Sequence, residues 1–175
     1  MTRFSLPGIV LLLIGLAMGC APKAATNHVQ RQKFVTEEGI CLLLPTDWKD
    51  ISDQNEGRPT FTKGANVLQV SAAIYRSGQE PRPTKEELIE LASGFVGQKG
   101  AKIVSTDSGT CQFGLYGTAL YTTEEFPHFQ VWELSNGLDF IMVTSISQDP
   151  LSADEKLELD SIIQVLGLEK PSPEK

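Results

Sequence analysis

Histidine and cysteine are scarce in this chain, which limits the chemistry that its side chains can perform. The 175 residues include two histidines, His28 and His128, and three cysteines. Nucleophilic catalysis needs a serine or cysteine beside a base, most often histidine, and the Gly-x-Ser-x-Gly turn that presents a serine nucleophile is missing. The cysteines and histidines have no metal-site spacing. We therefore predict no catalytic residue, no metal ligand and no cofactor, and a hydrolase based on His128 is the least favoured alternative.

The apolar segment at the N-terminus is short for a membrane span. Phe4–Ala17 is apolar apart from Ser5, whereas a helix needs roughly 20 apolar residues to cross a bilayer. Arg3 supplies a positive charge directly before it. A short positive start followed by an apolar stretch of this length is typical of a signal peptide.

The residues that follow indicate the type of signal. Leu16–Cys20 resembles the lipobox of bacterial lipoproteins, with the small residue Gly19 directly before Cys20 and a departure at Ala17, where the lipobox usually has leucine. The resemblance implies cleavage after residue 19, diacylglycerol on the Cys20 thiol and acylation of the new amine, as with palmitate. Two or three acyl chains anchor a protein stably. The alternatives are an ordinary secretory signal and an uncleaved anchor.

The residue after the cysteine bears on location. It is Ala21 rather than aspartate, which by the sorting rule of Gram-negative lipoproteins implies the outer membrane, with the domain facing the periplasm. The outer face of a plasma membrane is the alternative.

Positive charge is in deficit, with 15 Lys and Arg against 22 Asp and Glu and a net charge of −7. An acidic chain is unsuited to bind nucleic acid or to adhere directly to anionic lipid. We therefore predict that the bilayer is contacted through acylated Cys20 alone.

The composition divides the chain into four segments. Residues 1–19 are the predicted signal peptide, and 20–32 have no apolar period and form a predicted tether. Residues 33–168 form the predicted domain, and 169–175, with two prolines, form a predicted disordered tail.

Strand patterns dominate the domain. Alternation of apolar and polar residues is clearest between Val67 and Tyr75, and Asn136-Gly137 predicts a hairpin with a type I′ turn. The predicted strands are 33–37, 40–44, 60–63, 67–75, 102–105, 110–113, 116–124, 129–134 and 138–147.

Two capping boxes predict amphipathic helices, one beginning at Thr84 and one at Ser152. The predicted buried stripe of the first helix is Leu88, Leu91, Ala92, Phe95 and Val96, and that of the second is Leu159, Ile162, Ile163 and Leu166. These elements predict an α+β domain, with an antiparallel sheet covered by the two helices.

The order of elements, with an apolar strand ending in Pro45-Thr-Asp-Trp48, resembles the PsbP-like superfamily, in particular bacterial lipoproteins of the DcrB type. The resemblance covers nearly all of 33–168 and implies an α/β/α sandwich around an antiparallel sheet. It implies no shared chemistry, because most members are binding or assembly factors, and none of their sites matches residues here.

Cys41 and Cys111 are the two cysteines left after lipidation of Cys20. In an oxidising compartment a pair of thiols predicts a disulfide. Two separate thiols that behave as small apolar residues are the alternative.

Phe126 and His128 flank a proline between two predicted strands, and Trp132 follows. Aromatic residues beside such a turn predict a recognition patch. The alternative is that their rings pack on the edge of the core.

These patterns predict a membrane-anchored lipoprotein that acts as a non-enzymatic binding or assembly module of the cell envelope. The partner is an unidentified envelope protein or small ligand. The main alternative is a small-ligand-binding lipoprotein with a cleft between sheet and helix.

Overall fold

The structure, a computed structural model, describes residues 30–54, 58–73, 82–95 and 100–169, with only the backbone of Phe95. The predicted signal peptide, the predicted lipidation site Cys20, most of the predicted tether and the predicted tail after Glu169 lie outside these residues. Within the described ranges, no helix is both long and apolar enough to cross a membrane.

The described strands form two antiparallel sheets. The smaller sheet has the order β1-β2-β10, and the larger has the order β3-β4-β5-β9-β8-β7-β6. The strands are β1 (Arg31–Val35), β2 (Ile40–Pro45), β3 (Lys49–Asp50), β4 (Thr60–Lys63), β5 (Asn66–Ala73), β6 (Lys102–Thr110), β7 (Leu115–Thr122), β8 (His128–Ser135), β9 (Phe140–Ser147) and β10 (Gly167–Leu168).

Among the described residues, two α-helices accompany the sheets, α1 (Lys85–Ala92) and α2 (Ala153–Val165), and short 3-10 helices occupy Ser52–Gln54 and Ser93–Phe95. Both predicted capping boxes form, at Thr84 with Glu87 and at Ser152 with Glu155. The domain is therefore α+β, as predicted.

The helices lie on opposite faces of the larger sheet. Gly117 of β7 brings the sheet so close to α1 that a Cβ there would lie 2.3 Å from the backbone nitrogen of Ile89. The opposite face is covered jointly by α2 and the smaller sheet, whose Phe34 ring lies 4.9 Å from that of Phe61 in β4. The predicted single sheet covered by two helices is thus a coarse description, because strands of the first predicted hairpin form a separate sheet.

The main core lies between the larger sheet and the layer formed by α2 and the smaller sheet. The predicted stripe of α2 is confirmed, since all four of its residues are buried here. The stripe of α1 is wrong at Leu91, which is 50% exposed although Leu88 and Ala92 are buried. This helix is only two turns long, so a narrower face suffices to contact β7.

The β8–β9 hairpin forms at the predicted place but with a different turn. Four residues, 136–139, connect the strands, and only Gly137 among them has a positive φ, of 98°. The side-chain Oδ1 of Asn136 accepts hydrogen bonds from the backbone N–H groups of Leu138, at 2.9 Å, and Asp139, at 2.8 Å. This side-chain bonding favours the longer turn over type I′.

The predicted strands 102–105 and 110–113 are replaced by one strand, β6, which has a bulge between Ile103 and Ser105. Gly109 does not interrupt β6, because the Tyr116 side chain of β7 packs over it, with its hydroxyl 2.7 Å from where a Cβ would stand. The chain turns after β6, where the Cys111 N–H donates to the carbonyl of Gly114.

The predicted disulfide is absent, and Cys41 and Cys111 are both free thiols. Cys41 alternates along β2 with the buried residues Ile40 and Leu42, so its side chain is on the outer face of the smaller sheet. Cys111 packs instead against the main core. The two thiols therefore lie on different sides of the smaller sheet, and the expected bond is wrong for this reason.

Candidate ligand-binding cleft

A cleft of about 340 Å³ lies between α2 and strands β6, β7 and β8. Its size falls in the range of small-molecule sites. Its lining is mostly polar and consists of Ser105, Asp107, Tyr116, Thr118, Leu120, His128, Gln130, Trp132, Lys156, Asp160, Ile163 and Gln164.

Contacts on the other side of α2 fix one wall of the cleft. Glu158 accepts hydrogen bonds from the Trp48 indole at 2.8 Å and from the Lys63 ammonium at 2.8 Å, and Lys63 also pairs with Asp47. These bonds hold α2 against the end of β4 and the segment between β2 and β3. The helix is thus anchored on the side of the smaller sheet, while its opposite side lines the cleft.

His128, the first residue of β8, forms one end of the cleft. Its side chain is buried, with 4% exposed, and its Nε2 is among the buried polar atoms that have no hydrogen-bond partner. Burial lowers the pKa of His128 to about 4, helped by the positive charge of Lys156 and opposed by Glu155. The imidazole is therefore neutral near pH 7 and can donate or accept a hydrogen bond.

A polar corner, formed by Asn66, His128, Ser145 and Ser147, surrounds this end on the α2 side of the sheet. Ser147 of β9 pairs with Asn66 on one side and with His128 on the other, so the three share a face. In the described ranges, the buried side-chain atoms without a partner are Asn66 Oδ1, His128 Nε2 and Ser145 Oγ. Buried polar atoms are normally satisfied by protein, water or ligand. Of these three residues, only His128 also lines the cleft.

Two carboxylates face the cleft from opposite walls, Asp107 on β6 and Asp160 on α2. Loss of solvation raises the pKa of Asp160, and the charge of Asp107 adds to this effect. Burial and the same two carboxylates raise the pKa of the Tyr116 hydroxyl between them, which keeps it protonated. This end of the cleft therefore has a negative potential.

The wall between the two ends is fixed by internal hydrogen bonds. The Thr118 hydroxyl donates to the carbonyl of Val131 at 2.7 Å and accepts from the Gln130 side chain at 3.1 Å. The cleft surface is thus held in place without a ligand.

The structure separates the residues of the predicted recognition patch. His128 and Trp132 are buried, with 4% and 2% exposed, and both line the cleft, whereas Phe126 is half-buried in the loop between β7 and β8. The three therefore do not form an exposed patch. Asp107, Asp160 and Asn66 were not predicted as site residues. Packing of α2 across the sheet places Asp107 and Asp160 in the same cleft as His128, and strand pairing places Asn66 two strands from it. The alternation of polar His128 and Gln130 with apolar Phe129 and Val131 is the pattern that marks one polar face of β8.

No hydrogen bond joins a serine hydroxyl to the His128 side chain in the part of the chain that the structure describes. Ser147 stands opposite it, but no hydrogen bond joins the two side chains, and Ser147 is only 1% exposed. A substrate cannot reach that hydroxyl in this arrangement. The same ranges contain no group of three or more His, Cys, Asp or Glu side chains that could hold a metal ion.

Glu133, on the α1 side of β8, is a second residue whose pKa is strongly shifted. Burial raises its pKa from the usual 4.5 to about 7. The folded state therefore binds more protons than the unfolded state between these values, and the free energy of unfolding falls as the pH rises through them.

Replacing Glu133 by glutamine should remove this fall in the free energy of unfolding, because glutamine does not titrate. We expect E133Q to match the wild type near pH 4.5 and to exceed it at pH 7.5 by about 3 kcal/mol in the free energy of unfolding. Denaturant titrations at both pH values measure the difference. If E133Q differs from the wild type in the free energy of unfolding by the same amount at both pH values, Glu133 is not buried as described.

The sequence matches no family model and no curated protein. The fold is similar to that of PsbP. The solution structure of cyanobacterial PsbP (CyanoP) from Synechocystis sp. PCC 6803 aligns with 15% identity and a TM-score of 0.49, over 86% of this chain and 99% of that one.

Two other solved structures are also similar. A protein from Bacteroides thetaiotaomicron VPI-5482 aligns with 17% identity and a TM-score of 0.47, over 81% of this chain and 50% of that one. The Ran-binding protein Mog1p of Saccharomyces cerevisiae aligns with 11% identity and a TM-score of 0.44, over 76% of this chain and 84% of that one. At these identities the similarities concern the fold and say nothing of a ligand or partner.

Proposed function

We propose that this protein is a lipoprotein of the bacterial cell envelope, of the DcrB type within the PsbP-like superfamily, that binds a small polar ligand without catalysis. The observation that carries the proposal is the cleft beside α2, where His128 is buried with an unpartnered Nε2. A closed core would have favoured a protein partner instead. The cleft favours the small-ligand alternative over the assembly module.

The proposed anchor is acylated Cys20 in the outer membrane, with the domain in the periplasm. β1 begins at Arg31, so ten residues separate it from the cysteine. An extended chain of this length reaches at most about 35 Å. The anchor would therefore keep the cleft close to the membrane.

Replacing Cys20 by serine tests the anchor. We expect C20S to leave the membrane fraction or to accumulate as uncleaved precursor, because acyl chains contribute about 0.8 kcal/mol per buried methylene. Fractionation and intact-mass measurement detect both results. C111S is the matched control and should remain lipidated and membrane-bound. A C20S protein that is processed and partitions as the wild type does would contradict the lipoprotein assignment.

Filling the cleft tests ligand binding. Gln164 is an exposed residue at the cleft on α2, and Gln54 is an exposed glutamine in the first 3-10 helix. We expect wild-type protein and Q54W, extracted from native membranes and examined by native mass spectrometry, to carry a small molecule that Q164W lacks. Wild-type protein without such a molecule, or Q164W that retains it, would contradict the proposal.

A further inference from the structure

The charges around the cleft are distributed unevenly along its length. Lys156 lies toward the His128 end, where its charge acts on the imidazole. Asp107 and Asp160 lie together at the other end. Their carboxylates therefore face a region that no cation of the lining neutralises.

Neither carboxylate has a cationic partner in the described ranges. Asp107 accepts a hydrogen bond from the backbone N–H of Ser108 at 2.8 Å, and Asp160 has no hydrogen bond or ion pair from its side chain there. Lys156 precedes Asp160 by one helical turn but forms no ion pair with it in that part of the chain. Both residues are exposed, so a ligand cation can approach their carboxylates from solvent.

The chemistry of the two ends restricts the cation. The acidic end offers two carboxylates and the Tyr116 hydroxyl, which is too few protein ligands for a dedicated metal site. The other end offers the neutral imidazole of His128, which bonds a hydroxyl or amide as donor or acceptor. An anionic ligand would face two carboxylates and only one lysine.

We propose that the cleft binds a small primary amine, with its ammonium group between Asp107 and Asp160 and a hydroxyl or amide group near His128. The proposal rests on the proposed ligand-binding function and specifies its ligand class. The ammonium donates charge-assisted hydrogen bonds to both carboxylates. The buried Nε2 of His128 gains a partner at the other end.

Three six-carbon probes that differ in one end group test this assignment. They are 6-amino-1-hexanol, 1,6-hexanediol and 6-hydroxyhexanoate, titrated by calorimetry into the mature lipoprotein in a nonionic detergent. We expect the amino alcohol to bind at least tenfold more tightly than the diol and the carboxylate not to bind. Equal affinity for the diol, or binding of the carboxylate, would overturn the proposal.

Matched variants locate the binding. We expect D160N to lose at least tenfold in affinity for the amino alcohol and D53N, which removes an exposed carboxylate of the first 3-10 helix, to lose none. D160N should unfold at the same temperature as the wild type or higher, because this carboxylate has no partner to lose. Unchanged affinity in folded D160N would overturn the assignment.

The two experiments fail independently. If native membranes yield a cleft ligand without an amine, the ligand class is wrong and the proposed function stands. If the wild-type protein carries no molecule that Q164W lacks, the proposed function fails, and the ligand class fails with it.

Discussion

Replacing Ile163 by aspartate is expected to lower the free energy of unfolding by about 4 kcal/mol or more, because it places a carboxylate in the apolar core. Ile163 is 2% exposed and lies among residues of the larger sheet, α2 and the smaller sheet. The new charge would have no cation nearby in that cluster. Urea titration of the purified protein measures the loss, and the variant is expected to be largely unfolded at 37 °C.

Leu157 provides the control for this prediction. It lies on the same helix but is 66% exposed, so L157D should change the free energy of unfolding by no more than about 0.5 kcal/mol. A helix-propensity effect would appear in both variants. If I163D unfolds at the same urea concentration as L157D, α2 does not bury the face assigned to it.

Replacing Gly117 by alanine is expected to lower the free energy of unfolding by about 3 kcal/mol, although only one methyl group is added. The new Cβ would lie 2.3 Å from the Ile89 nitrogen and 2.4 Å from the Leu88 carbonyl carbon. These are backbone atoms of α1, so no side chain can rotate to relieve the contact. The helix would have to move away from β7.

The G94A variant is the control that shows whether the loss of a glycine is destabilising by itself. A Cβ at Gly94 would meet no atom within 4 Å, so G94A should be close to neutral in thermal unfolding. A G117A protein that melts with the wild type would show that α1 does not approach β7 as closely as described.

The local parts of the fold could be predicted from the sequence. Both helix starts were found, because a capping box is a contact among four consecutive residues. The buried stripe of α2 was found because four apolar residues, Leu159, Ile162, Ile163 and Leu166, recur at helical spacing over about two turns. The hairpin of β8 and β9 was found from Asn136-Gly137, but its turn type was not, because the Asn136 side chain provides the competing hydrogen bonds.

The parts that depend on distant residues could not be predicted. Leu91 follows the helical period but is exposed, since burial depends on how much of α1 the sheet covers. The positions of Cys41 and Cys111 on different sides of the smaller sheet could not be predicted, because the sequence does not show that β2 belongs to that sheet. The cleft could not be predicted either, because Asp107 and Asp160 become neighbours only when α2 crosses the sheet.

The smaller sheet has a consequence for folding if the chain is exported as we propose. β2 pairs with β1 on one side and with β10 on the other, and Lys33 forms a 2.7 Å ion pair with Glu169. The first and last described strands therefore meet across β2. A chain threaded through a secretion channel from its N-terminus cannot complete this sheet until residue 168 has emerged. Until then the face of the larger sheet that α2 and the smaller sheet cover stays incompletely covered.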